Sequence, residues 1–173
     1  MNPPQSPAGE YVREANPSPA RRAELIAEIE KLPAVARAAV AGLTREQLDT
    51  KYRNWTVRQI VHHLADSHIN AFVRFRLALT EETPTIKPYD QTRWSELADT
   101  KGADVELSLR LLEALHARWA ILLRAMTDAD FARSYNHPEY QKTYRLDEVL
   151  GMYAHHGRHH TGQIRWLRQE RGW

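Results

Sequence analysis

Apolar residues recur at steps of three and four along four stretches of the chain, and that spacing predicts four long helices. The clearest runs from Asp104 to Met126, where Val105, Leu109, Leu112, Leu115, Trp119, Leu122, Leu123 and Met126 keep helical spacing. Val57, Val61, Leu64, Phe72, Phe75 and Leu79 form a second stripe ending near Thr80, and Thr56 with Gln59 makes the capping box that starts it. Residues 20–42, rich in Ala, Glu, Arg and Leu, predict a helix that Pro33 should break or kink. The last helix runs from about Leu146 to Arg171, with Val149, Tyr153, Ile164 and Leu167 on its apolar face.

What lies between these stripes is short of strand signal. Five of the nine prolines (Pro3, Pro4, Pro7, Pro17 and Pro19) fall in residues 1–19, which should be extended or irregular and draped over the body of the domain. Glu81–Gly102 carries Pro84 and Pro88 and reads as a long connection, with a short helix around Trp94; Glu81 and Glu82 should be solvated. Asn136-His137-Pro138 is a turn signal inside a loop or small hairpin over 133–145. The expected architecture is all-α, a four-helix bundle spanning residues 1–173 as one domain. A faint internal echo accompanies it. Thr44-Arg-Glu-Gln47 and Thr127-Asp-Ala-Asp130 each form a short capped turn after one helix and before another that carries histidines.

Composition narrows the function. A net charge of only +2, with no run of as many as five consecutive Lys/Arg, argues against nucleic-acid binding. The absence of Cys removes disulfides and a cysteine nucleophile and fits a reducing compartment. No apolar run approaches the ~20 residues needed to span a bilayer, and the N-terminal residues lack a signal-peptide pattern, so a cytoplasmic protein is expected.

The candidate chemistry lies in Tyr153-Ala-His-His-Gly-Arg-His-His-Thr-Gly-Gln163, which holds four of the nine histidines as two overlapping i, i+4 pairs. Side chains four apart on a helix are neighbours, with Cβ atoms roughly 5–6 Å apart, so two imidazoles can converge on one cation. His156 and His160 fall within the apolar stripe, facing the interior where bundle metal sites are built; His155 and His159 fall on a flank as surface or supporting residues. The second helix offers His62, His63 and His68 for a third ligand. The stripe includes His68 and leaves His63 to one side with Ile60 and Ser67, and periodicity alone leaves the choice open.

These residues carry a resemblance. Trp55-Thr-Val-Arg-Gln-Ile-Val-His-His-Leu-Ala-Asp-Ser-His68, Leu79-Thr-Glu-Glu-Thr-Pro84 and the His-Gly-Arg-His-His-Thr-Gly-Gln block resemble the DinB/YfiT-like superfamily of metal-binding four-helix bundles. The similarity is closest to the YfiT branch of metal-dependent hydrolases and extends from Gly9-Glu10-Tyr11 to Gly172-Trp173. The resemblance implies that one His immediately before Leu on the second helix joins two His four apart on the last. Carried over, the ligands are His63, His156 and His160, with the preference for His63 over His68 resting on the resemblance. It also suggests a homodimer, as do aromatic edges such as Trp94, Trp166 and Trp173.

Three imidazoles around one Zn²⁺ or Ni²⁺ per subunit leave a position open for water or a small-molecule substrate. The implied activity is a metal-dependent hydrolase. The alternatives are a metal-dependent thiol S-transferase of the bacillithiol or mycothiol type, and a non-catalytic structural site. Asp66, Asn70 and Gln163 are candidates to move a proton or orient a ligand by their nearness in sequence. Because only neutral imidazole binds metal, affinity is expected to fall as pH drops through about 6.5.

Overall fold

A computed structural model describes residues 2–173. Four long helices carry it: α1 (Pro19–Val40), α3 (Val57–Thr80), α6 (Val105–Ala125) and α8 (Leu146–Arg171). Short helices α2 (Arg45–Leu48), α4 (Gln91–Ser95), α5 (Ala98–Gly102) and α7 (Asp128–Phe131) sit in the connections. Two antiparallel hairpins complete it, β1 (Lys51–Tyr52) with β2 (Trp55–Thr56), and β3 (Ser134–His137) with β4 (Lys142–Arg145).

The capping signals are realised as hydrogen bonds. Thr56 with Gln59, Thr44 with Gln47 and Thr127 with Asp130 all close reciprocal capping boxes, satisfying amides that the first helical turn leaves without partners. The internal echo becomes architecture. Helix, capped turn, hairpin and histidine-bearing helix follow one another in α1–α2–β1–β2–α3 and again in α6–α7–β3–β4–α8. The two-residue strands of the first hairpin are too short for a sequence alternation to show.

Each of α1 and α3 packs against both α6 and α8, closing a four-helix bundle. Its interior divides into two apolar clusters. One gathers Leu25, Ile29, Phe75, Trp119 and Leu150; the other gathers Leu32, Val61, Leu64, Leu112 and Ile164. Along α1 and α8 the chain passes from the first cluster to the second, whereas α3 and α6 run the opposite way. Burying a side chain such as Leu112 or Ile164, both fully enclosed, contributes roughly 1.5–3 kcal/mol each. Between the clusters lies a polar layer made by His63 and His68 of α3, His116 of α6 and His156 and His160 of α8. The bundle therefore holds imidazoles at mid-height, walled by apolar side chains above and below.

Pro33 does not break the first helix, which runs unbroken from Pro19 to Val40. Proline deprives the carbonyl four residues back of its intrahelical donor, and here that carbonyl, of Ile29, is taken up by Nδ1 of His116 at 2.5 Å. The N-terminal segment lies along the bundle as expected. Tyr52 donates to the Pro4 carbonyl, Arg53 to Pro3 at 3.1 Å, and Tyr11 to the Glu148 carbonyl at 3.2 Å. α1 and α8 meet closely at Gly157, where a Cβ would lie 2.7 Å from Leu32 Cδ2.

Candidate metal centre

Three ring nitrogens converge in the polar layer. His156 Nε2 lies 3.2 Å from His63 Nε2 and 3.1 Å from His160 Nε2, and the three potential ligand atoms all fall within 4.8 Å of one another. Tetrahedral ligands held at 2.0–2.1 Å from a zinc ion are separated by roughly 3.3 Å, so these contacts match the edges of a coordination polyhedron. As hydrogen bonds alone they are poorly matched, since one Nε2 faces two others. A donor set of three imidazole nitrogens fits a divalent transition-metal cation.

The second nitrogen of each α8 histidine is held. His160 Nδ1 donates to Gln163 Oε1 at 2.8 Å, and the Gln163 amide donates onward to His159 Nε2 at 3.0 Å. That bond fixes the proton of His160 on Nδ1 and turns the Nε2 lone pair towards the shared point. His156 Nδ1 stands 3.2 Å from His68 Nε2. With its Nε2 facing the cluster, His156 carries its proton on Nδ1 and donates to His68. Behind it, the ring of His68 stacks on that of His116 at 4.9 Å, and Trp119 and Tyr153 meet its face edge-on. His68 Nδ1 and His116 Nε2 are buried with no hydrogen-bond partner among the described residues.

Burial sets the charge state of the site. It pushes His63 down to about 4, aided by the nearby His159, and holds His156 and His160 well below the ordinary imidazole range. All three are neutral at physiological pH, the form that binds a cation. Trp55, in β2, covers the outer side, its ring 4.5 Å from that of His63 and stacked 6.2 Å from that of His160. A cavity of about 790 Å³ between α1, α8 and the N-terminal segment touches none of the three histidines. His156 instead lines a cavity of about 550 Å³ between α3, α4, α8 and the second hairpin.

The sequence candidates separate cleanly. His63, His156 and His160 come together, and His68 sits in the core behind His156 rather than at the shared point. His62 faces α6, its Nε2 towards the Ala103 carbonyl at 3.3 Å and its Nδ1 2.7 Å from Ser108 Oγ. His155 packs against the Tyr11 ring at 5.3 Å. Gln163 supports a clustered histidine, whereas Asn70 bonds back to the Asp66 carbonyl. Asp66 itself, raised to about 6 by burial and by Asp99, makes no hydrogen bond to the clustered histidines. Periodicity could not choose between His63 and His68 because α3 is enclosed on nearly every side from Val57 to His68. The connection bearing α4 and α5 packs against the flank that the stripe reads as exposed. Trp55 was missed as a site residue, although it directly precedes the capping Thr56.

Comparison with known proteins agrees with this architecture. The family model described as the DinB superfamily matches residues 14–164. The chain is 48% identical over 169 residues to "Putative metal-dependent hydrolase YfiT" of Bacillus subtilis (strain 168), covering 96% of this chain and 95% of that one. A Bacillus mycoides (strain KBAB4) protein of the same description is 49% identical over 150 residues, 86% of each chain. A solved structure described as YfiT from Bacillus subtilis, "a probable metal-dependent hydrolase with an unusual four-helix bundle topology", superposes with a TM-score of 0.95 over 97% of both chains at 48% identity.

Proposed function

The chain belongs to the DinB superfamily, and from that premise we propose that it is a metal-dependent hydrolase whose His63, His156 and His160 hold one divalent cation, Zn²⁺ or Ni²⁺. The observation that carries the reading is the convergence of three neutral imidazole nitrogens within 4.8 Å. A cation held by three histidines keeps an open position, lowers the pKa of a coordinated water to about 7 and polarises carbonyl groups.

The residues of this chain supply the rest. Gln163 and His68 fix the tautomers of His160 and His156, so that the site is preorganised. Trp55 and the two apolar clusters exclude bulk water, which strengthens electrostatic contacts with a bound substrate. The cavity beside His156, at about 550 Å³, is within the range of small-molecule sites.

A substrate screen of protein loaded with Zn²⁺ or Ni²⁺, against esters, amides and thiol-plus-electrophile pairs, tests the reading. Hydrolysis that chelation abolishes is expected. Turnover only with a thiol cosubstrate would move the protein to the thiol-transferase class, and no turnover with collapse of the metal-free fold would make the metal structural. No helix is long and apolar enough to cross a membrane, and a cytoplasmic location belongs to the same proposal. So does a homodimer. Trp166 and Trp173 pack onto the second apolar cluster, so its support lies in the exposed Leu107, Leu111 and Ile121 of α6. Sedimentation equilibrium showing a 20.1 kDa species at micromolar concentration would remove it.

A further inference from the structure

The cavity beside His156 is lined by a buried cation that has no ion-pair partner among the described residues. Arg74 of α3 lines it and is only 8% exposed, yet none of its nitrogens makes an ion pair with a carboxylate within 4 Å among the described residues. A buried guanidinium without a counter-ion is costly, and structures keep one where an anion comes to meet it. By contrast, the other Arg buried on this helix, Arg58, bonds Asp49 at 2.7 Å.

The acids nearest the cavity do not fill the gap. Asp90 is engaged in capping α4 through the Arg93 amide at 2.9 Å, and Glu139 is exposed at the rim. The groups facing Arg74 are neutral. Tyr135 and Tyr153 place hydroxyls beside the guanidinium, both pushed up by burial, with the positive charge acting against it. His137 is held down first by burial and then by Arg74, and its Nδ1 is buried with no partner. Ser67 and Tyr89 add two more hydroxyls to the wall. The result is a buried cationic fork surrounded by hydrogen-bonding side chains, which suits one planar monoanion.

We propose that this recess binds the free carboxylate of the substrate, with Arg74 as its bidentate partner, so that the metal centre acts on a small organic acid bearing a second, cleavable carbonyl group. The inference rests on the metal-dependent hydrolase reading for the reaction but not for the binding. The register of α3 supports it. Ser67 follows His63 by four residues and Arg74 follows Ser67 by seven, placing all three on one helical face with about 16 Å of axial rise between His63 and Arg74. Helical side chains lean towards the N-terminus, so the long Arg74 side chain reaches back towards the clustered histidines. A ligand held at Arg74 thus extends towards His156 along a common wall. A lysine, being a point charge, would not reproduce the fork.

The test compares 4-phenylbutyrate with its primary amide as ligands of the protein loaded with Zn²⁺ or Ni²⁺, by calorimetry. The carboxylate should bind at least tenfold more tightly, Arg74→Met should erase the preference, and Arg74→Lys should retain only part of it. Should Arg74→Met fail to fold, the Nε–H resonance of Arg74 in the unaltered protein decides the matter. It should shift with the carboxylate and not with the amide, and should do so equally after chelation. Equal binding of acid and amide, a preference that survives in Arg74→Met, an unmoved Arg74 resonance, or loss of the preference on chelation would each overturn the proposal. Carboxylate binding at Arg74 in a protein that hydrolyses nothing would leave this site standing and sink the hydrolase reading. Hydrolysis of acidic and neutral substrates with equal kcat/KM would do the reverse.

Discussion

His116 Nδ1 on α6 lies 2.5 Å from the carbonyl oxygen of Ile29 on α1, the acceptor that Pro33 strips of its intrahelical donor. A defect in one helix is thereby repaired by a side chain from another, and the same bond fixes the His116 proton on Nδ1. Replacing His116 with Leu leaves a buried carbonyl unsatisfied and should cost roughly 1–3 kcal/mol. Pro33→Ala returns the missing N–H. The double variant should therefore be about 1 kcal/mol more stable than the sum of the single changes predicts. Denaturant melts of the four proteins measure this, and strict additivity would refute the repair.

Elemental analysis of purified protein should find about one divalent metal per chain. His156→Ala, His160→Ala and His63→Ala should each remove it, because a site with two imidazoles left is weak. Unchanged stoichiometry in all three variants would show that the convergence of these nitrogens is not a metal site.

His68 should behave differently from the three. It accepts from His156 Nδ1 at 3.2 Å and does not reach the shared point. Losing a partner that orients a ligand typically lowers metal affinity 10–100-fold without abolishing it. His68→Phe, which keeps the ring packing against His116 and Trp119, should show that intermediate loss in a competition titration with a chromogenic chelator. Complete metal loss with His68→Phe, and retention with His63→Ala, would reverse the two roles.

The pH dependence follows from burial. In the folded protein His63 and His116 are each held down to about 4, whereas in the unfolded chain they titrate near 6.5. The unfolded state therefore binds more protons as pH falls, and the stability these groups contribute is complete above about 6.5 and is lost towards pH 4. For each, the loss in metal-free protein should be on the order of 2–3 kcal/mol by pH 4.5. The same burial bears on metal binding. Because burial holds all three imidazoles below the ordinary range, affinity should begin to fall at a lower pH than the ~6.5 of a free imidazole. A steep loss of affinity between pH 7 and 5.5 would show that the ligands titrate as ordinary imidazoles.

Gly157 allows α8 to approach α1 beside His156. A Cβ there would stand 2.7 and 2.8 Å from the two methyl groups of Leu32, and overpacking of that kind costs about 1–3 kcal/mol. Gly157→Ala should lower the melting temperature by about 2–4 °C per kcal/mol for a chain of this length. Leu32→Ala should cost less stability in the Gly157→Ala background than on its own, and an unaltered melt in Gly157→Ala would show that the helices have room to part.

Local physics made the helices readable from the sequence. Apolar steps of three and four, three capping boxes and the proline-rich start are each contained within a few residues, so α1, α3, α6, α8 and the draped N-terminal segment follow from short-range rules. The pair His156 and His160 was legible for the same reason, being four apart on one apolar stripe. Its partner on α3 was not. Which of His63 and His68 meets that pair depends on how α3 is placed against α8 and on the connection bearing α4 and α5, which buries the flank that a single-helix stripe treats as exposed. The lack of an ion-pair partner for Arg74 among the described residues was equally invisible, since it is a property of the space around a side chain and not of its sequence neighbours. Pro33 gives the reverse case: its local rule predicts a broken helix, and a histidine 83 residues further along the chain overrules it. Sequence determines what each segment prefers; only tertiary packing determines which distant groups are present to complete it.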